Sequence, residues 1–183
     1  SIGMWFNLHE PSNGQTMPMH ILALEWTTAG DDVDDYLLLR YNVTGSSTAG
    51  EVEVVSSNDP GALISTRGIP GKEISIMQGS SGWHYVMMTV TPKGLLTLYL
   101  DGDMAGDANV TAPGADAKLW VGGRFIGTPA PNSTNLDSEN TPFLGYMDEL
   151  SIFSKVVSKC EMRLWMWGNT TQEHDCPSGK HSD

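Results

Sequence analysis

The block Gly82–Gly123 constrains the fold more than any other part of the sequence. Residues 83–91 alternate with a period of two, and residues 95–101 do the same, which is the pattern of half-buried strands. The dipeptide Asp101-Gly102 is a strong hairpin-turn signal, because glycine takes a positive φ without strain. A further strand signal covers residues 118–123. The block therefore predicts an antiparallel meander of two or three strands.

Short strand signals separated by turns also cover the rest of the chain as far as residue 153. They lie at residues 1–8, 20–27, 36–43, 51–56, 62–66, 73–78 and 144–153. About ten such strands, in a chain with 20 Gly and 10 Pro, predict an all-β fold with two antiparallel sheets in a jelly-roll sandwich. Because a strand signal begins at Ser1, we expect the first strand of the domain to be missing.

After residue 153, the spacing of the apolar residues changes from every second residue to that of a helix. Ser158 and Glu161 have the spacing of a capping box, apolar residues follow at helical spacing, and Gly168 ends the run. The sequence therefore predicts one short C-terminal helix and a domain over residues 1–168. Residues 169–183 are predicted to be a polar tail, which a disulfide between Cys160 and Cys176 would tie back. A buried pair of free thiols is the alternative.

The net charge and the N-glycosylation sequons limit which partners and which cellular compartment we expect. The formal net charge of −12 argues against nucleic acid, which requires Lys and Arg to displace counterions, and no apolar run is long enough to insert into a membrane. Sequons for N-glycosylation begin at Asn42, Asn109, Asn132 and Asn169. Together with the cysteine pair they predict a secreted glycoprotein, extracellular or on the cell surface, although sequons also arise by accident in a Ser/Thr-rich chain.

The order of motifs resembles that of the laminin-G-like, concanavalin-A-like jelly rolls. The motifs are WHYVMMTV at 83–90, LTLYLDG at 96–102, LWVGG at 119–123 and GYMDELSIFSKVVS at 145–158. The resemblance extends to about Gly168, whereas the tail with Cys176 is not part of the family pattern. It implies two curved sheets in an extracellular module that binds glycans or proteins at its loop rim, often with calcium. Relatives on this architecture include lectins, adhesion modules and glycan-cleaving enzymes, so the fold alone decides no function.

Acidic residues supply the candidate calcium ligands. Asp31, Asp32 and Asp34 crowd into one loop, which is explained either by a solvated surface or by a hard cation. In the strand at 144–153, strict alternation would turn Asp148 toward the core, so either a β-bulge resets the register or the carboxylate is paired. Asp148 is therefore the first metal candidate, with a structural hydrogen bond as the alternative. The acidic stretch 101–107 fits a hairpin better than a calcium loop.

The sequence contains no complete catalytic motif that we recognise. The acidic strand motif of jelly-roll glycosidases has its nearest match at Glu51 and Glu53, but the third acid is missing. Neither a nucleophile elbow nor a His-Glu-x-x-His motif is present. Core packing is the default expectation for the strand tryptophans, which are Trp5, Trp26, Trp83 and Trp120.

Three functions remain at this stage. The first is a non-enzymatic recognition or adhesion module that binds glycan or protein through rim loops, including the loop at 126–143, with calcium as a candidate cofactor. The second is a structural domain of a larger glycosylated cell-surface or filament assembly, whose partners are neighbouring domains. The third is a glycan-active enzyme, which we do not expect.

Overall fold

The computed structural model describes residues 1–9, 18–27, 34–43, 49–57, 59–67, 69–76, 80–122 and 143–167. Its first strands are β1 (Ile2–His9), β2 (Met19–Thr27), β3 (Asp34–Val43), β4 (Ala49–Ser56), β5 (Asp59–Ser65) and β6 (Ile74–Ser75). They are followed by β7 (Ser80–Val90), β8 (Leu95–Leu100), β9 (Asp103–Asn109), β10 (Lys118–Val121), β11 (Gly145–Ile152) and the helix α1 (Lys159–Trp167). The predicted succession of short strands and one helix is confirmed.

The strands form two antiparallel sheets. Sheet I has the order β11-β1-β7-β8-β9, and sheet II has the order β10-β2-β3-β4-β5 with β6 paired to β4. Apolar side chains from the facing sides of both sheets form the main core, for example Phe6 and Val86 from sheet I and Leu39 and Val54 from sheet II. The predicted two-sheet jelly-roll sandwich is therefore the fold of the chain.

The third strand of the meander is not the one that was predicted. The strand that follows β8 is β9, and the predicted third strand at 118–123 is β10, which pairs with β2 in sheet II. Strand β9 lacks an alternating apolar pattern, because its residues are small or polar apart from Met104. At Gly106 a Cβ would lie 2.9 Å from the side chain of Ile64 on β5, so a larger residue would require Ile64 to shift. Without the alternating signal this strand escaped prediction.

A second, smaller apolar cluster lies on the outer side of sheet I, beneath α1. Met162 and Met166 of the helix pack there against Tyr85 and Met87 of β7 and against Val157. The capping box predicted at the helix start is present, since Ser158 N donates to Glu161 Oε2 (2.9 Å) and Glu161 N donates to Ser158 Oγ (3.2 Å). Among the described residues, no helix has the length and hydropathy needed to cross a membrane.

Asp103, the first residue of β9, anchors the helix to the sandwich. Its Oδ1 lies 3.0 Å from both Lys159 Nζ and Arg163 Nη2, and its Oδ2 lies 3.2 Å from Lys72 Nζ. Hydrogen bonds from Lys159 and Lys72 lower the pKa of Asp103 from its ordinary 3.8 to about 2. Arg163 Nε also donates to the carbonyl oxygen of Gly102 (3.3 Å). Three cations on one carboxylate thus join α1, the β8–β9 turn and the segment before β6.

The tryptophans follow the core expectation only in part. Trp26 is 5% exposed in the main core, and Trp5 is half-buried against the cluster beneath α1. Trp83 is 49% exposed, so the expectation of core packing is wrong for this residue. It lies near the start of β7, where the burial pattern of the strand is still exposed, and the buried stretch begins only at Tyr85.

Candidate functional site

A pocket of about 430 Å³ opens at one end of the sandwich. It lies where β2 ends, β3 begins and the chain leaves β9; we call it the rim pocket. Its lining residues are Trp26, Tyr36, Leu37, Ser56, Ser57, Leu63, Asn109, Val110 and Thr111. Both sheets contribute to the wall, because β9 belongs to sheet I and the other strands belong to sheet II.

Backbone and side-chain hydrogen bonds fix the β3 side of the rim pocket. Ser57 N donates to the carbonyl oxygen of Tyr36 (3.1 Å), and Tyr36 N donates to Ser57 Oγ (3.2 Å). Ser57 Oγ in turn donates to Asp35 Oδ1 (2.9 Å). On the opposite wall, Val110 N donates to the carbonyl oxygen of Gly94 (2.8 Å), which holds the segment that leaves β9. The pocket walls are therefore built on fixed backbone.

The lining of the rim pocket combines apolar side chains of the main core, among them Trp26 and Leu37, with small polar groups. The buried indole Nε1 of Trp26 has no hydrogen-bond partner within the described part of the chain. Asn109 and Thr111 expose their side chains, and Ser56 is half-buried. Apolar walls with a few placed polar groups are typical of pockets for small organic ligands. Aromatic faces next to hydroxyl and amide groups suit the mixed apolar and polar surface of a sugar.

The predicted acidic loop leaves the sheet beside this pocket. Trp26 pairs with Asp35, and Thr27 pairs with Asp34, so the connection between β2 and β3 begins at the pocket rim. Asp31 and Asp32 lie outside the described residues, and so does the side chain of Asp34. Of the loop predicted at 126–143, residues 126–142 lie outside them as well. The structure thus places the ends of the acidic loop at the rim pocket, and its metal role stays a prediction.

Asp148 lies on β11 at a β-bulge. Trp5 pairs with Asp148 and Gly3 pairs with Ser151, so Glu149 and the residue after it face a single residue of β1, and Glu149 has a φ of +50°. Of the two alternatives for this strand, the bulge is confirmed. The structural hydrogen bond named as the alternative to a metal is present, since Asp148 Oδ1 accepts from Glu149 N (2.8 Å), and the side chain of Asp148 is exposed.

Few possible metal ligands lie on the strand pair around Asp148. Trp5 and Ser151 on the same stretch of sheet supply no carboxylate, and the metal role of Asp148 stays a prediction. Over the described ranges of the chain, no group of three or more His, Cys, Asp or Glu side chains is arranged to hold a metal.

Buried carboxylates on the outer face of sheet II are the feature that the sequence reasoning undervalued. Glu51 and Glu53 lie two residues apart on β4 and therefore face the same side, and they are 5% and 4% exposed. Arg40 Nε and Asn42 Nδ2 donate to Glu53 Oε1 at 2.5 and 3.1 Å. A cross-strand row runs from His20 through Arg40 and Glu53 to Ser65.

Glu51 is held in a similar way at the next position of the strand. Ser65 Oγ donates to Glu51 Oε2, and Arg67 Nε lies 3.8 Å from Glu51 Oε1. Each carboxylate of the pair nearest to a glycosidase motif is thus bonded to neighbouring side chains of the sheet. An alternating Glu-Val-Glu run opposite Arg40 is the sequence signal from which this paired row could have been predicted.

Two of the four predicted glycosylation sites lie in the described residues. Asn109 is exposed at the end of β9, whereas Asn42 is half-buried in β3 with its amide bonded to Glu53. Asn132 and Asn169 lie outside the described residues. Cys160 is in the first turn of α1, but Cys176 lies outside them as well, so the disulfide stays a prediction.

Exposed apolar side chains concentrate on β11 and α1. β11 is an edge strand of sheet I, where Tyr146 is 60% exposed and Ile152 is 65% exposed. On the helix, Trp165 and Trp167 are 61% and 50% exposed, and the Trp165 ring contacts that of Phe153 edge to face with centroids 5.5 Å apart. Exposed apolar surface of this kind is typical of contacts with other proteins.

One comparison with known proteins yields a match. A laminin-G family model, described as the concanavalin A-like lectin/glucanases superfamily, matches residues 1–163. No curated protein matches the chain. The family match covers both sheets and reaches into α1, so it includes the rim pocket and the paired carboxylates of sheet II.

Proposed function

Because the chain belongs to the concanavalin A-like lectin/glucanase superfamily, we propose that it is an extracellular, non-enzymatic recognition module that binds a glycan in the rim pocket. Membership in this superfamily supports a carbohydrate- or protein-binding module in general. The observation that carries the more specific proposal is the rim pocket itself, whose lining includes Trp26 together with the polar residues Ser56, Asn109 and Thr111.

The size and lining of the pocket fit one or two sugar units. Its volume of about 430 Å³ lies within the usual range of small-ligand pockets. A sugar ring can place its apolar face on an aromatic side chain while its hydroxyls bond Ser56 and Thr111. The predicted binding site at the loop rim thus acquires specific residues, on fixed strand ends rather than on the loops alone.

A non-enzymatic role is supported by the state of the carboxylates. Hydrolysis of a glycosidic bond requires one carboxylic acid that donates a proton and one carboxylate that acts as a base or nucleophile across a cleft. Glu53 is ion-paired to Arg40, and Glu51 accepts from Ser65, so both are engaged within the sheet. Among the described residues that line the rim pocket, none has an acidic side chain.

Calcium enters the proposal only through the acidic loop. Asp31, Asp32 and Asp34 belong to the connection that begins at the pocket rim, and oxygen ligands from such a loop are what Ca²⁺ prefers. A bound ion there would order the loop beside Tyr36. We do not assign this role to Asp148.

A second candidate function is favoured by the exposed apolar residues of β11 and α1. Tyr146, Ile152, Trp165 and Trp167 would suit contact with a neighbouring domain, as expected for a structural unit of a larger surface assembly. This role and glycan recognition use different surfaces, so each can be tested without the other.

The glycan proposal is tested with unglycosylated protein on a glycan array, with and without EDTA. We expect binding of a restricted set of glycans, and a changed NMR signal of the Trp26 indole when a bound glycan is titrated. Ser56→Leu would fill the pocket from its wall and should abolish both effects. Ser151→Leu, a matched change on β11 away from the pocket, should leave both unchanged.

Three results would contradict the glycan proposal, and a fourth would remove only calcium from it. Absence of any glycan binding by folded protein would exclude carbohydrate recognition and leave the protein-contact role. Binding that survives Ser56→Leu would place the site elsewhere. Release of shorter sugars from a bound oligosaccharide, detected by chromatography, would show an enzyme. A midpoint of thermal unfolding that does not rise with added calcium would remove the metal from the proposal.

A further inference from the structure

Three side chains from neighbouring strands form one row across the outer face of sheet I. Asn7 of β1 pairs with Trp83 of β7 on one side and with Tyr146 of β11 on the other. Directly paired residues point to the same side of a sheet. The chain neighbours of Asn7, Phe6 and Leu8, are buried in the main core, so the row faces outward. We call these three residues of the row the aromatic platform.

Both rings of the aromatic platform are accessible. Trp83 is 49% exposed and Tyr146 is 60% exposed, although aromatic side chains of this size are mostly buried in folded proteins. Two strand spacings separate the two residues, which places their Cα atoms roughly 10 Å apart. The ring of His9 packs edge to face on that of Tyr146, with centroids 4.8 Å apart, and supports its orientation. The aromatic platform thus presents two separate rings at a defined spacing.

A polar group lies between the two rings. Asn7 Oδ1 accepts a hydrogen bond from Ser80 Oγ (2.7 Å), which holds the amide in place. Asn7 is half-buried, and its Nδ2 has no hydrogen-bond partner among the described residues. That nitrogen is therefore available as a donor to a ligand. Two rings that flank a donor match a chain of sugars, because sugar rings have apolar faces and carry hydroxyls at their edges.

We propose that the aromatic platform binds a linear chain of neutral sugars that crosses β7, β1 and β11. One sugar lies on the ring of Trp83 and another on the ring of Tyr146, and Asn7 Nδ2 donates to a hydroxyl between them. Charge favours a neutral chain over a sulfated or carboxylated one. The platform itself is uncharged, Asp148 is exposed in the next row of the sheet, and the formal net charge of the protein is −12.

The aromatic platform and the rim pocket lie at opposite ends of sheet I. β7 begins beside the platform and ends at Val90, which pairs with Leu96 of β8. Leu96 in turn pairs with Ala108, the residue before the pocket residue Asn109. The stretch from Trp83 to Val90 spans roughly 20 Å of strand. The platform is therefore a site beyond the rim pocket, and it does not rest on glycan binding there.

The proposal is tested by calorimetric titration of the full chain with soluble neutral polysaccharides, namely laminarin, hydroxyethyl cellulose and glucomannan. We expect at least one of them to bind and heparin, a sulfated chain, not to bind. A hexasaccharide of the bound type should bind at least about tenfold more tightly than its disaccharide, because only the longer chain reaches both rings. Trp83→Ala and Tyr146→Ala should each weaken binding at least about tenfold, and Trp83→Phe, which keeps a ring, should weaken it less.

Trp167→Ala is the matched control for Trp83→Ala. Trp167 on α1 is 50% exposed, as Trp83 is on β7, but it lies outside the aromatic platform. This variant should bind the polysaccharide like the parent protein. Because the side chains exchanged at Trp83 and Tyr146 are exposed, the platform variants should unfold close to the thermal midpoint of the parent protein, which separates lost contacts from lost folding.

Several results would overturn the platform. They are absence of binding to all three neutral probes by folded protein, equal affinity for disaccharide and hexasaccharide, and binding that survives both alanine variants. Self-association in the analytical ultracentrifuge that Trp83→Ala abolishes would show that a second copy covers the platform, and would overturn the proposal as well.

The platform and the rim pocket fail separately. Polysaccharide binding that Ser56→Leu abolishes and Trp83→Ala leaves intact would assign the sugar chain to the rim pocket, and would overturn the platform alone. Binding that Trp83→Ala abolishes and Ser56→Leu leaves intact would support the platform and contradict the rim pocket as the site of that glycan.

Discussion

The carboxylate of Asp101 ties the β8–β9 turn to His84 on β7. Its Oδ2 lies 2.9 Å from His84 Nδ1, and its Oδ1 accepts a hydrogen bond from Tyr85 N (2.9 Å). The turn places Asp101 at a φ of +52° and Gly102 at +82°, a mirror-image turn that matches the twist of the flanking strands. Side-chain contacts thus stabilise a backbone conformation that few non-glycine residues adopt.

Among the described residues, Asp101 and Glu149 are the two non-glycine positions of positive φ, and glycine substitutions there should have opposite effects. Glu149→Gly removes a side chain from a left-handed residue of the β11 bulge and should raise the free energy of unfolding by up to about 1 kcal/mol. Asp101→Gly removes the same backbone strain at a positive φ, but it also loses both contacts of the carboxylate. It should therefore lower the free energy of unfolding by about 1 kcal/mol.

Urea unfolding of both variants and the parent protein measures these changes. Asp101→Asn is the control, since asparagine tolerates the left-handed region and retains one acceptor oxygen, and its loss should be smaller than that of Asp101→Gly. Stabilisation by Asp101→Gly would show that the carboxylate contacts contribute little.

Local sequence patterns predict some strands of the fold and miss others. Alternation and turn dipeptides predict β7, β8 and the turn at Asp101-Gly102, because these are local properties of the chain. β9 could not be predicted in the same way, because its sequence DMAGDAN has no apolar alternation. At Gly106, the close approach of Ile64 from the facing sheet accounts for the small residue, and such a non-local contact leaves no local signal.

The anchor at Asp103 should make the helix sensitive to acid. The pKa of Asp103 is about 2 in the folded chain against an ordinary 3.8, so its ionised form stabilises the fold above about pH 4. This contribution is lost as the pH falls from about 4 to about 2. Because the carboxylate is 47% exposed, solvent screening limits the contribution to about 1 kcal/mol or less.

Asp103→Asn isolates this contribution. At pH 7 the variant should be slightly less stable than the parent protein, and the two should converge toward pH 2, as followed by thermal unfolding. Glu161, whose pKa is also lowered to about 2 by hydrogen bonds from Lys155 and Ser158, supplies the acid sensitivity that remains. An equal difference at pH 7 and pH 2 would contradict a role for the Asp103 charge.

Removing one partner of the Arg40–Glu53 ion pair on sheet II should lower the free energy of unfolding more than replacing both partners with apolar residues. Arg40→Met leaves Glu53 buried without its cation and should lower the free energy of unfolding by about 3 kcal/mol. The double variant Arg40→Met/Glu53→Met removes both charges and should recover most of this loss. Chemical unfolding of the single and double variants measures the coupling between the two residues.

A double variant as unstable as the single one would show that the charge of Glu53 is not the cause. Glu53→Gln alone separates charge from shape, since it retains an acceptor for Asn42 Nδ2 and loses the full charge of the pair.

The capping box predicts a smaller effect at the start of α1. Ser158→Ala removes the acceptor of the Glu161 N–H and should lower the free energy of unfolding by about 1 kcal/mol. Ser158→Asp keeps an acceptor at the same position and should retain most of the stability. Circular dichroism during unfolding measures both variants, and equal stability of Ser158→Ala and the parent protein would contradict the cap.

The candidate site was less predictable than the fold because its residues come together from distant segments. Trp26, Ser56 and Asn109 are separated in sequence and meet only because β2, β4 and β9 end at the same rim. At Asp148, alternation alone left two alternatives, and only the backbone at Glu149 decided for the bulge. A site that depends on tertiary register has no local signature.

The place of β1 in sheet I determines when the sheet can be completed. β1 lies between β7 and β11, and Ile2 pairs with Ile152. On a ribosome, β1 can pair with β7 as soon as β7 emerges, whereas the other edge of β1 stays unpaired until β11 follows. Pairing at such sequence separation is slow, and an unpaired β1 edge is prone to aggregation. Truncation before β11 should therefore yield an aggregating chain rather than a smaller folded domain.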